Sequence, residues 1–86
     1  MYKVVLLPEA QKFYHKLFYS NREIFERIRH ALESLKENPL LGKSLKYKLR
    51  GKYSLRVGIY RIIYSVDHLK ITIYVFDIGH RKAIYQ

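Results

Sequence analysis

Cysteine is absent from the 86 residues, which removes disulfide stapling, thiol nucleophiles and thiolate metal sites together and fits a reducing compartment. Carboxylates are missing where cations are dense: between Glu37 and Asp67 lie seven Lys or Arg side chains and no Asp or Glu. No stretch approaches the ~18 uninterrupted apolar residues that span a bilayer, and the apolar run over residues 1–8 is too short for a secretory signal. A soluble cytoplasmic protein with no membrane partner is expected. Also lacking are an H-E-x-x-H pair, a glycine-rich phosphate loop, a Ser-His-Asp ordering and paired carboxylates. The four histidines have no metal-ligand spacing, so neither metal nor cofactor is expected. No attacking group belonging to the protein is evident.

What is present is enough to fold. Apolar residues make up 49% of the chain and nine residues are Tyr, which excludes disorder despite a net charge of +10. A chain of this length is a single domain, spanning 1–86, with a modest core and room only for a shallow site. The charge is uneven: the first 37 residues sum to +2 and the rest to +8. A surplus concentrated in one half points to a polyanionic partner, whereas charge kept for solubility would be spread.

Residues 2–7 are β-branched and apolar, which predicts a short strand, and Pro8 suits the first turn of a helix. Ala10, Phe13, Tyr14 and Leu17 then recur on one helical face as far as Tyr19. Ser20-Asn21-Arg22-Glu23 has capping-box spacing and predicts a second helix, with Ser20 as its cap and Ile24, Ile28, Ala31, Leu32 and Leu35 as its buried stripe. Asn38-Pro39 ends it. Residues 40–52 are basic and irregular, and three strands are predicted over 53–57, 60–66 and 70–77, with a short turn or helix from Gly79-His80 onward. The expected fold is α+β: a mainly antiparallel four-stranded twisted sheet, β-α-α-β-β-β, with the helical hairpin on one face and the other face left for function.

A two-residue turn at Gly58-Ile59 would set Arg56 opposite Arg61. Like charges so placed repel, and an anion bridging both guanidiniums would remove the repulsion. The simpler alternative is that both side chains splay into solvent. His80, Arg81 and Tyr85 follow the last strand and could converge on the same patch, with His80 the best candidate acid or base because histidine titrates near neutrality. His15, His30 and His68 are expected to be structural. Tyr47, Tyr53 and Tyr85 lie in or beside the basic region, and rings among cations suit unstacked RNA bases. RNA also supplies the missing nucleophile, since a 2′-hydroxyl can attack its adjacent phosphodiester.

Three segments, Lys48-Leu49-Arg50-Gly51, Tyr53 to Tyr64, and Ile78-Gly79-His80-Arg81-Lys82 with Ile84-Tyr85, resemble the RelE/ParE superfamily of small bacterial and archaeal toxins. Element order and length fit over nearly the whole chain. The resemblance implies a RelE-like endoribonuclease that cuts mRNA in the ribosomal A site by 2′-hydroxyl attack and is held inactive by a RelB-like antitoxin through an acidic amphipathic segment. It implies that Arg61 and Arg81 are the phosphate and transition-state arginines, that Arg56 takes the place of a catalytic lysine, and that Tyr85 orients the substrate. Lys43, Lys46, Lys48, Arg50, Lys52, Tyr53, Ser54 and Lys82 are the expected RNA and ribosome contacts. Ser54 departs from RelE itself, which has a second lysine there; His80 is the candidate to take over that proton-transfer role. The ParE branch, which blocks DNA gyrase without phosphodiester chemistry, is the alternative, and an inactive RNA-binding relative is a third.

Overall fold

The computed structural model describes residues 1–80. Strand β1 (Lys3–Leu6) leads into helices α1 (Pro8–Ser20) and α2 (Arg22–Glu37). Strands β2 (Lys43–Ser44), β3 (Tyr53–Val57), β4 (Tyr60–Asp67) and β5 (Thr72–His80) follow, with a single 3₁₀ turn over Tyr47–Leu49 between β2 and β3. They form one sheet in the order β1-β5-β4-β3-β2, antiparallel except where β1 runs parallel to β5. The α+β architecture is the expected one, with five strands in place of four. The extra strand, β2, is two residues of Lys and Ser held by backbone pairing to Ser54 and Tyr53, so no side-chain pattern announces it. No helix among the described residues is long and apolar enough to cross a membrane.

Helix α1 carries Pro at its first position and buries Ala10 and Leu17, while α2 buries Ile28, Leu32 and Leu35. The helix junction differs from expectation by one residue. Asn21, not Ser20, caps α2: its side-chain oxygen accepts from the Ile24 N–H at 3.2 Å, and its own N–H donates to the Leu17 carbonyl at 2.8 Å. Ser20 remains the last residue of α1, with its hydroxyl donating to the Lys16 carbonyl at 2.9 Å. One Asn thus closes one helix and opens the next, a role for which Asn ranks at least as high as Ser.

The helices cover one face of the sheet. Their buried side chains meet Ile62 and Tyr64 of β4 and Ile73, Val75 and Ile78 of β5. The change from odd to even positions on β5 comes from a bulge: Tyr64 pairs with Val75 but Ile63 pairs with Asp77, leaving Phe76 as the extra residue. Strand β5 also starts and ends later than expected. The Asp67 carboxylate accepts from the N–H groups of Leu69 and Lys70, and Ile71 takes φ +50, so pairing resumes only at Thr72. At its other end Gly79 and His80 are strand, not turn, because Arg61 and Tyr60 offer them partners.

A single buried phenol ties the chain between α2 and β3 to this core. Tyr64, with 0% of its surface exposed, donates from its hydroxyl to the Pro39 carbonyl at 2.8 Å and accepts from the Gly42 N–H at 2.8 Å. A side chain at position 42 would bring its Cβ within 2.6 Å of that oxygen, so only glycine fits. Burial raises the Tyr64 phenol above its ordinary 10.0, outweighing the Gly42 N–H, which favours the anion. Replacing Tyr64 with Phe is expected to lower unfolding stability by about 1–2 kcal/mol in denaturant titrations, since two backbone groups lose their partner. The wild type gains from the raised folded-state value fully below about pH 10 and loses that gain as pH rises through it. Stability measured above pH ~10 should therefore fall less steeply for Tyr64→Phe than for wild type.

Candidate nucleic-acid interface

Alternation along a strand sends successive side chains to opposite faces. On β4, Tyr60, Ile62 and Tyr64 point to the helices, so Arg61 and Ile63 belong to the uncovered face. Gly58 takes φ +61 at the first central position of a two-residue turn, and Arg56 stands directly opposite Arg61, as the spacing predicts. On the other side of Arg61 the register places Gly79, which has no side chain. At this end of the face one row therefore consists of two guanidinium-bearing residues and a glycine. The nearest carboxylate in the ladder is Asp77, one row further along beside Ile63.

One further guanidinium, that of Arg27, reaches the turn. Arg56 Nε donates to the Gly58 carbonyl at 3.2 Å, and the Arg27 guanidinium of α2 comes so close that a Cβ at position 58 would lie 3.4 Å from its Nη2. Arg27 was not singled out by sequence, because nothing in a helical pattern tells which turn of the sheet its polar face will meet. The neighbouring carboxylates on α2, Glu26 and Glu33, are engaged within the helix by Arg29 at 2.9 Å and Lys36 at 3.0 Å.

The basic segment is a hairpin with an ordered tip, where sequence alone suggests a loop. Lys43 pairs with Ser54, Ser44 with Tyr53, and the Leu45 N–H donates to the Lys52 carbonyl at 2.9 Å. Within the tip the N–H groups of Leu49, Arg50 and Lys52 donate to the carbonyls of Lys46, Tyr47 and Leu49. Gly51 closes it at φ +91. Lys43, Lys46, Lys48 and Arg50 are all exposed, whereas the Lys52 ammonium lies 4.2 Å above the Phe76 ring, on the uncovered face. The bulge at Phe76 makes that contact possible by turning two successive residues, Phe76 and Asp77, to the same side.

Three predicted site residues are not brought into this array. Tyr53 faces the helices, its ring stacked on Tyr64 at 5.4 Å. His80 pairs with Tyr60 rather than Arg61, and its ring meets the Tyr60 ring edge-on at 6.3 Å, so it projects on the helix-covered face, opposite the guanidinium row. The cause is strand continuation: with β5 running through residue 80, alternation fixes Gly79 on one face and His80 on the other. Ser54 faces the open side but is only 5% exposed, between Lys43 and Ile63, and its hydroxyl has no hydrogen-bond partner among the described residues. Arg81, Lys82 and Tyr85 lie outside the described residues. Of the remaining histidines, His68 is a hydrogen-bond partner of the Tyr2 hydroxyl at 2.9 Å, consistent with a structural role.

Cross-strand pairs contribute roughly 0.2–1 kcal/mol, and like charges take the destabilising sign. Arg56→Gln is therefore expected to raise the thermal midpoint slightly at low ionic strength, with the gain shrinking as salt is added. An unchanged or lower midpoint at low salt would mean that the pair does not repel.

The sequence profile of the ParE toxin of type II toxin-antitoxin systems (parDE) matches residues 4–85. Toxin RelG of Mycobacterium tuberculosis is 33% identical over 86 residues, covering 99% of this chain and 97% of the relative. In the solved RelBE2 toxin–antitoxin complex of the same organism, a chain superposes with a TM-score of 0.81 at 32% identity, over 93% of this chain and 98% of that one. The YoeB/ParE toxin of Agrobacterium tumefaciens shares the fold at a TM-score of 0.84 and 20% identity, over 92% and 98% of the two chains. Together with the guanidinium row and the basic hairpin on one small α+β domain, these matches place the chain in the RelE/ParE superfamily, as a toxin of a type II toxin–antitoxin system.

Proposed function

We propose that the toxin acts as a ribosome-dependent endoribonuclease that cleaves mRNA through the substrate's own 2′-hydroxyl, without a metal or cofactor. The observation that carries this reading is Arg56 opposite Arg61 with glycine as the third member of the row, on the face that the helices leave open. The 2′-oxygen loses its proton and bonds to phosphorus, the bond from phosphorus to the 5′-oxygen breaks, and the leaving oxygen takes up a proton. The products are a 2′,3′-cyclic phosphate and a 5′-hydroxyl. Charge gathers on the non-bridging oxygens midway, where planar forked donors hold it best. Arg61 and Arg56 supply that stabilisation, and the resemblance adds Arg81. By the resemblance Tyr85 orients the substrate, while His80, which stands on the other face beside Tyr60, is not given the proton-transfer role. Lys43, Lys46, Lys48 and Arg50 on the hairpin, with Lys82, grip ribosomal RNA, whose dense phosphates suit a chain of net charge +10.

The antitoxin is expected to be RelB-like, with an acidic amphipathic segment. A groove of about 620 Å³ between α2 and the outer edge of β3 suits it: Ala31, Leu41, Leu55 and Val57 offer apolar surface, and Arg27 and Arg56 offer charge. Arg56 belongs both to this groove and to the guanidinium row, so a segment seated there would quench the site directly.

Translating ribosomes incubated with the purified toxin should yield cut mRNA, naked RNA should be cut poorly, and Arg61→Ala should slow cutting on ribosomes by about 10²–10³-fold. Undiminished cutting or growth inhibition by Arg61→Ala would sink the nuclease reading. Because the matching profile is that of ParE, gyrase inhibition is the second reading. A gyrase supercoiling assay that responds to the toxin, with no mRNA cut, would select it.

A further inference from the structure

Tyr47 occupies the tip of the basic hairpin with 90% of its surface exposed. Its backbone takes φ +57, the left-handed region that a bulky side chain enters only with strain. Neither its ring nor its hydroxyl makes a hydrogen bond or ring contact with any described residue, in contrast to Tyr53, stacked on Tyr64, and Tyr2, bonded to His68. Glycine would adopt this conformation without strain, as Gly51 does four residues on at φ +91. Folding alone gives no reason for tyrosine here. The immediate neighbours are cations: Lys46 and Lys48 flank it, Arg50 follows, all exposed, and no carboxylate occurs in the sequence from residue 38 to residue 66.

An aromatic face held out among cations matches the two things that a single nucleic-acid strand presents, a base to stack and phosphates on either side of it. We propose that Tyr47 is a stacking platform for one unpaired nucleobase of ribosomal RNA, with Lys46, Lys48 and Arg50 holding the adjoining phosphates. This rests on the ribosome reading above and adds to it a contact made by a ring as well as by charge. The strain at position 47 is then retained because it turns the ring away from the domain.

The test compares wild type, Tyr47→Phe, Tyr47→Gly and Lys48→Ala in binding to isolated small ribosomal subunits over a salt series, with thermal midpoints measured alongside. Tyr47→Phe should bind as wild type does. Tyr47→Gly should bind about tenfold more weakly at every salt concentration with an unchanged salt slope, while its thermal midpoint rises. Lys48→Ala should instead reduce the slope by up to about one unit. Since the chain has no tryptophan, Tyr47→Trp provides a single reporter. Its emission should be quenched by a single-stranded oligoribonucleotide and not by an abasic strand carrying the same phosphates. Equal binding by Tyr47→Gly, a lowered midpoint for that variant, or equal quenching by both strands overturns the stacking role. If wild type cuts mRNA on ribosomes while Tyr47→Gly binds unchanged, only the stacking role falls. If wild type does not bind the subunit, both readings fall, and a Tyr47→Gly defect confined to antitoxin binding would assign the ring to that partner.

Discussion

The hydroxyl of Tyr64 is the hinge-pin between the helical half of the molecule and its charged half. The apolar side chains of α1, α2, β4 and β5 would drive collapse without it, because burial is proportional to area and indifferent to direction. They would not determine where the chain goes after Asn38. That path is set by two directed bonds, from the phenol to the Pro39 carbonyl and from the Gly42 N–H to the phenol, at the bottom of a core where an unmet polar group is expensive. Lys43 then begins the hairpin one residue after Gly42, so the position of the basic tip depends on a group from the central strand of the sheet. Position 42 admits no Cβ for the same reason.

From that anchored start the molecule presents two local arrangements that oppose its own stability. Arg56 faces Arg61 across two strands, and Tyr47 holds a positive φ with 90% of its surface exposed. Each is a small cost within a domain whose core readily absorbs it. Both lie in the part of the chain where the sequence carries no carboxylate, and under the proposed function both would become favourable with an RNA backbone as the neighbour. Local conflict between stability and sequence choice is what a binding or catalytic surface leaves behind.

Much of this was legible in the sequence, and the failures have physical causes. The helices and main strands follow from periodicity, and the Arg56–Arg61 pair follows from one glycine at the correct position of a two-residue turn. Backbone events that leave no side-chain pattern were not legible. The strand β2 pairs through its main chain alone, the bulge at Phe76 shifts which residues of β5 face the core, and β5 runs on through Gly79 and His80. The last of these mattered most for chemistry, since the three residues of additional strand beyond Asp77 place His80 on the face opposite the arginines. Asn21 replaced Ser20 as the cap because two helices share one residue, a constraint that comes from the junction and not from either helix. Arg27 reaches Gly58 only through the packing of α2 on the sheet, which no local pattern encodes.

If the guanidinium row exists to hold a strained phosphodiester, the coupling between its two members must change sign between folding and catalysis. A double-mutant cycle with Arg56→Gln, Arg61→Gln and the double variant measures both, from unfolding free energies and from rates of mRNA cutting on ribosomes. Repulsion in the free protein should make the coupling unfavourable for folding, while in the cutting reaction the two arginines should reinforce each other, so that losing the second matters less once the first is gone. Strictly additive effects on the cutting rate, or an attractive coupling in folding, would contradict a shared anion between Arg56 and Arg61.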